Sequence, residues 1–440
     1  MEIKSAFYDL INNIREEAIG YTIALILGYV VTVLFLRVPR YFKYVRRKAY
    51  IRWSESYFPN DTDTIILDIA GADQDEYNSN GFEYDYKSIR DSGQVFRLKF
   101  PGHVVDEFQD NSVSFSLEDF NTSNDEVFGK SEISELERIT EISDIRERIS
   151  RACEIEAKLF YFKEKGRNFN GKGFGLRSIN FDRIGNLESP KIDISLYRTD
   201  YFTQCVMSRV ALELLEEGVI SSDGVKYNDE DGFGIINRKY FPLIPGLAIN
   251  AFVFTDEGRE ITLVRRSANA NSSLDHAGKF DSSIDEAFSQ FDVTHSVYGR
   301  GSVTISNCFR RGADEELGIK PEDPMLGELI VYQVFFVKSL FQVALAGYCK
   351  YDATFEEMRS LTGKDKPLEH KDMISVQFNS RNMSEFIMRG DIIPCIRDIL
   401  IDLCRLKGLK IDLTYGKGFY GMCKYLFIYI KTFFEFAYRR

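Results

Sequence analysis

Residues 308–323, CFRRGADEELGIKPED, place two arginines, two adjacent glutamates and a Leu-Gly stop at the end of a predicted helix. Neighbouring carboxylates such as Glu315 and Glu316 are ligands that a hard divalent cation accepts. Arg311 and Glu315 stand four apart, so they can also pair simply to hold the helix. The stretch therefore reads either as a metal-binding catalytic helix or as one kept for binding. Upstream, Arg265 and Arg266 are adjacent on a predicted strand and so point to opposite faces. One of them can reach a phosphate with its planar fork, but the pattern does not say which. A glycine-rich basic run, FNGKGFGLRS (169–178), can cradle phosphate through backbone N–H groups. It lacks the spacing of a nucleotide-binding fingerprint and reads as a mobile loop.

Other chemistry is disfavoured by composition. The chain has 440 residues and a net charge of −11, which argues against a general nucleic-acid coat and leaves room for a small anionic ligand. Seven cysteines, an odd number with no C-x-x-C pair, and four histidines support neither a disulfide framework nor a zinc site. A reducing compartment fits.

The elements that must position these residues follow from periodicity. LAINAFVF and REITLVRRS alternate as strands of a hairpin joined by TDEG, and SVTISNCFRRGADEELGI reads as a helix stopped at Gly318. Its apolar positions Val303, Ile305, Phe309, Ala313 and Leu317 fall mostly on one side. LIVYQVFFV and QVALAGYCKY read as strands, and NMSEFIM with IIPCIRDILIDLCRLKG as helices. That order predicts an α/β sandwich over 241–408. Before it, 54–240 reads as an α+β region, with short strands (TIILDI, QVFRLKF, SVSFSL) and one long amphipathic helix from Ser134 to Phe162 whose Ser134 and Glu137 stand at capping-box spacing.

Residues 18–36 run without a charge and are long enough, as a helix, to span a bilayer core of roughly 30 Å. The basic, aromatic segment 37–53 follows, so the positive-inside rule places the rest of the chain in the cytoplasm. The tail, 409–440, is aromatic with lysines near helical spacing, as expected of an amphipathic helix on a membrane or partner.

Arg311, Ala313, Asp314, Glu315, Glu316, Leu317, Gly318 and Ile319 resemble the second half of a Nudix box, and the region from Phe241 to Gly408 resembles a Nudix domain. The hairpin and the DHAGKFDSS loop resemble the family's opening elements. Two departures stand out: Gly312 replaces the glutamate after the arginine, and the earlier box Glu and Gly fall on Val303 and Val297. The resemblance implies an α/β/α sandwich and Mg²⁺-assisted hydrolysis of a pyrophosphate, with ligands four apart on the helix. Gly312 and Glu316 occupy that pair, and Gly312 offers no side-chain oxygen. Glu315 and Glu316 are then the metal and catalytic residues only if the chain is a hydrolase, while Asp314 points away around the helix. The family's ligand loop implies His276 and Lys279 as ligand-binding candidates, beside Arg265 and Arg266 of the strand and Arg311 of the box helix.

The whole architecture, a span, a basic collar and a degraded box, resembles the transmembrane-Nudix effectors (SMODS-associated Nudix) of bacterial cyclic-oligonucleotide-based antiphage signalling. That resemblance implies a single-pass protein of the bacterial inner membrane that senses a cyclic oligonucleotide made by a cognate nucleotidyltransferase. It forms a homo-oligomer on activation and requires no cofactor. The alternative is a membrane-tethered, Mg-dependent Nudix hydrolase of nucleoside diphosphate derivatives.

Overall fold

The hairpin that opens the C-terminal half forms because Leu247–Thr255 and Glu260–Arg266 are β-rich runs separated by a tight turn with Gly258 at φ +86°. Around it, a computed structural model describes residues 64–67, 85–98, 101, 133–162, 170–184, 189–220, 238–244, 246–267, 276–294, 302–364 and 370–412. In chain order the strands are β1 (Thr64–Leu67), β2 (Asp85–Val95), β3 (Lys172–Ile184), β4 (Ser189–Asp200), β5 (Leu247–Thr255), β6 (Glu260–Arg266), β7 (Phe280–Asp281), β8 (Ile284–Ala287), β9 (Val293–Thr294), β10 (Ser302–Val303), β11 (Ile330–Val337), β12 (Gln342–Lys350) and β13 (His370–Gln377). The helices are α1 (Ile133–Thr140), α2 (Ile145–Phe162), α3 (Tyr201–Glu216), α4 (Ile305–Gly312), α5 (Phe355–Ser360), α6 (Ser380–Ile387) and α7 (Pro394–Leu406).

The chain is a mixed α/β fold. Its larger sheet has eight strands in the order β1-β11-β12-β5-β6-β13, with β7 on β6 and β8 on β5. β12 and β5 are parallel and the other pairs antiparallel. Every residue of β5 is buried, as a central strand covered on both faces requires. Leu247, Ile249, Ala251 and Val253 share a core with Ile305 and Phe309 of α4 and with Ala313 just after it. The alternate residue Phe254 meets Tyr348 and Phe378 edge-on, and Tyr332 donates its hydroxyl to Ile399 O of α7 at 2.8 Å. Helices thus cover both faces. β1, from the region read as the middle unit, forms an edge of this sheet beside β11.

Beside a two-stranded β10-β9 ribbon, a second, smaller main sheet of three strands, β2-β4-β3, corrects the reading of FNGKGFGLRS as a loop, whether mobile or phosphate-cradling. From Lys172 onward those residues are β3, and a Cβ on Gly175 would lie 2.1 Å from Cζ of the Tyr197 ring on β4. Glycine is there so that the tyrosine can cross the strand. The single long helix read from Ser134 to Phe162 is also corrected: Glu141 at φ +60° ends α1, and α2 starts afresh at Ile145. The kink brings Leu136, Ile142, Ile145 and Ile149 into one core, and Ser134 lies inside α1, not at its cap. Of QVFRLKF, Gln94 and Val95 are the last residues of β2, which ends at Val95, and Phe96, Arg97 and Leu98 lie beyond its end.

Among the described residues no helix is long and apolar enough to cross a membrane. The predicted span 18–36, the basic segment 37–53, the strand at 112–117 and all but the first four residues of the tail lie outside the described residues.

Candidate functional site

Helix α4 begins where the side chain of Thr304 accepts the Asn307 N–H at 3.1 Å. Its end widens into a π-type turn, Ala313–Leu317, closed by Gly318 at φ +84°. A Cβ at Gly318 would sit 2.6 Å from the Thr362 carbonyl carbon, so the box glycine is a cap and a close-packing position together. Thus α4 and its last turn hold Arg311, Gly312, Glu315 and Glu316 rigidly against β8 and the loop that follows it.

Arg311 is the hub. Its Nε and Nη2 bind the two oxygens of Asp292 at 2.7 and 3.1 Å, Nη1 binds Glu286 at 2.9 Å and Glu315 at 3.0 Å, and Nη2 also donates to Ala287 O at 2.7 Å. All five guanidinium donors of an arginine are used. Burial opposes its charge, but Asp292 and Glu286 outweigh burial and hold its pKa above the ordinary value. Asp292 is only 1 % exposed in its side chain, and it also accepts the Ser289 N–H at 2.7 Å. The Ser289–Asp292 turn is in turn fastened to the smaller sheet by Gln290 Nε2, which donates to Gly173 O at 3.0 Å and Thr199 O at 3.1 Å. Arg311 therefore joins the box helix to the segment that bridges the two sheets. Cys308 lies beside this cluster, and burial, then Asp292 and Glu286, keep its thiol protonated.

Glu316 is not a solvated carboxylate. It is 3 % exposed and accepts the Asp285 N–H at 2.9 Å. Gly312 packs so closely on β8 that an added Cβ would meet Ile284 Cγ2 at 2.7 Å and Glu286 Cβ at 3.0 Å. The glutamate that the Nudix pattern expects at this position has neither an oxygen here nor room for one. Glu315 faces Arg311, and Asp314 pairs outward with Lys320 at 2.6 Å. Mg²⁺ demands several oxygens in near-octahedral array, and these residues do not fit it. Among the described residues, no group of three or more His, Cys, Asp or Glu is placed to hold a metal ion.

The paired arginines of β6 separate as strand alternation requires. Arg266 Nη1 lies between Asp281 Oδ2 (2.7 Å) and Asp285 Oδ2 (2.9 Å). Asn250 Nδ2 donates to the other Asp285 oxygen at 3.0 Å. Burial first, then the neighbouring Asp281, push the Asp285 carboxyl up to about 6 against the pull of Arg266. Arg265 instead lies over the Phe280 ring, 4.3 Å from its centroid, and reaches Asp391 Oδ2 at 3.0 Å. Arg389 stacks on the same ring at 4.9 Å and grips Asp391 with two bonds of 2.9 Å. His276 and Lys279 form the turn that leads into β7: Lys279 N–H donates to His276 O, Gly278 has φ +74°, and Arg266 N–H donates to Lys279 O.

Of the residues proposed from sequence, Arg311, Glu315, Glu316, Arg266 and Arg265 thus fall into two polar centres and one stack, whereas His276 and Lys279 are placed only in the turn before β7. Asp292, Glu286, Asp281, Asp285, Asp391, Phe280 and Arg389 complete them and were not singled out from sequence. Their signal was present only as charges in DHAGKFDSSIDEAFSQFD and in the Arg389-Gly390-Asp391 link between two helices.

No protein-family model matches the chain, and no curated protein matches it. Among solved structures, the MutT protein from Methanosarcina mazei Go1 is similar at 17% identity, over 37% of this chain and 93% of that one, with a TM-score of 0.23. A likeness of that score carries no argument. The architecture itself is a mixed α/β fold.

Proposed function

We propose that this protein is a membrane-anchored effector whose Nudix-like domain senses a cyclic nucleotide without cleaving it. The observation that carries the reading is the state of the box: Gly312 is packed against β8, Glu316 is buried on a backbone N–H, and Glu315 is tied to Arg311. A helix so arranged serves the fold and leaves water activation by a bridging metal without its ligands. The anchor rests on the uncharged run 18–36 and the basic segment after it, which orient the domain to the cytoplasmic side of a bacterial inner membrane.

In this reading a cognate nucleotidyltransferase supplies the ligand during phage infection. Ligand binding promotes homo-oligomerisation, which is possible only if the assembled state binds ligand more tightly than the resting state. Assembly of the spans then disrupts the inner membrane. The runner-up from sequence is a tethered Mg-dependent hydrolase of nucleoside diphosphate derivatives, which would need Glu315 and Glu316 released from their contacts with Arg311 and the Asp285 N–H.

The membrane step is tested in cells carrying the ligand synthase. Deleting residues 1–37 is expected to abolish growth arrest and dye leakage that the full chain causes. Equal arrest and leakage from the truncated chain would refute the effector reading and leave the span as a tether.

A further inference from the structure

An anionic ligand needs donors that are not already spent. Arg311 has none left, and Arg266 is held between two aspartates with its side chain 14% exposed. The pair on the Phe280 ring is different. Among the described residues Arg265 makes one hydrogen bond, to Asp391, which uses one of its five donors, and Arg389 makes two, both to Asp391. Both side chains reach solvent, at 29% and 43% exposure. One carboxylate serves both guanidiniums, which leaves the group of three with a net positive charge on a chain whose overall charge is −11.

The geometry is also fixed. Phe280 N–H donates to Asp391 O at 2.7 Å and Ile393 N–H donates to Phe280 O at 3.0 Å, so the segment bearing Asp391 is laced to β7. Arg397, 4% exposed on α7, donates from Nη2 to Arg389 O at 3.0 Å and holds the Arg389 backbone from behind. Phe280 is itself wedged against Phe386 of α6, with ring centroids 5.3 Å apart. Two forks stacked on one immobile ring lose little freedom on binding, which is the condition under which arginine recognises phosphate well.

We propose that Arg265 and Arg389, braced on Phe280, form the phosphate-binding subsite for the nucleotide of this domain, with Asp391 as the counter-ion that the ligand's phosphodiester displaces. This rests on the sensing role proposed above and names where the ligand's charge is read. The box helix and Arg266 do not touch the phosphate. Asp391 then sets a threshold: its carboxyl is held below the usual range chiefly by its hydrogen bonds to Arg389, and a phosphate must compete with it. Arg389 also lies over the Phe386 ring, 5.6 Å from its centroid, so its plane is braced on two aromatic side chains.

The test is calorimetry on the full chain in detergent, at fixed salt, with cyclic di-AMP, cyclic tri-AMP, linear pApA, inorganic phosphate and glycerophosphoglycerol as probes. At least one cyclic nucleotide is expected to bind. Arg265→Ala and Arg389→Ala should each weaken that binding tenfold or more, Asp391→Asn should tighten it severalfold, and Arg405→Ala, an exposed α7 control, should leave it unchanged. The opposite sign at Asp391 is what a purely structural ion pair would not give, and it stays readable if an arginine variant folds poorly. Wild-type nucleotide binding that survives both arginine substitutions, or that Asp391→Asn weakens, would overturn the subsite while sparing the sensor reading. Binding of glycerophosphoglycerol alone would reassign the stack to lipid phosphate and overturn the proposal. No binding of any nucleotide by the wild-type chain would overturn both readings.

Discussion

Replacing Arg311 by alanine is expected to cost about 3–5 kcal/mol of folding free energy, the penalty for stranding buried charge when one partner of a buried pair is removed. Three carboxylates converge on this guanidinium, and one of them, on Asp292, is almost fully buried. The variant also releases the Ser289–Asp292 turn from the box helix, so the register between the two sheets loosens. Arg311→Lys should recover only part of the loss, because a point charge on a flexible stem cannot serve Asp292, Glu286, Glu315 and Ala287 O together. Urea unfolding of the full chain in detergent checks this through the shift in midpoint at constant slope. A loss below about 1 kcal/mol, the range of an exposed pair, would show that the hub is not holding the fold.

Gly312→Glu should be the next most damaging change, at about 2–4 kcal/mol, from overpacking against a filled surface together with a new charge beside an acidic one. Its Cβ would stand within 2.7 Å of Ile284 Cγ2, and its chain would have to pass Glu286. Gly312→Ala separates the two causes. It adds only the methyl, and the gain of about 1 kcal/mol in helix propensity offsets much of the contact with Ile284, whose side chain can shift. Alanine is therefore expected to fall within about 1 kcal/mol of wild type. Restoring the family's residue does not restore a metal cradle in this account, so magnesium titration calorimetry of Gly312→Glu should show no new site. A stable Gly312→Glu protein that binds Mg²⁺ would contradict the packing argument.

How far the sequence went is plain at these same residues. The body and end of helix α4 were legible because their signals are local, Ile305, Phe309, Ala313 and Leu317 recurring at helical period and Gly318 stopping the turn, but its start was read too early: Ser302 and Val303 form β10 against β9, and the helix begins only after the Thr304 cap. The absence of a carboxylate at position 312 was legible too. Why glycine stands there was not, because the atoms that exclude a larger residue belong to Ile284 and Glu286 on a different element. Alternation told that Arg265 and Arg266 part company, yet their acids lie 126 residues away for Asp391 and 15 for Asp281, which no local pattern links. The glycine-rich 169–178 misled for a related reason: composition reads such a run as a loop, whereas Gly175 makes space for a tyrosine that reaches it only through strand pairing. Glu141 has no turn signature beyond its neighbours, so the break between α1 and α2 was hidden in an unbroken apolar stripe.

The proposal that this domain binds a nucleotide without cleaving it is checked by incubating the full chain with linear pApA and cyclic dinucleotides, with magnesium or with chelator. Bound and free nucleotide are then recovered and separated by chromatography. Equal binding in both conditions and intact nucleotide throughout are expected, with Glu315→Gln combined with Glu316→Gln changing affinity by less than about tenfold, or 1.4 kcal/mol. Magnesium-dependent products that vanish in that double variant would contradict it.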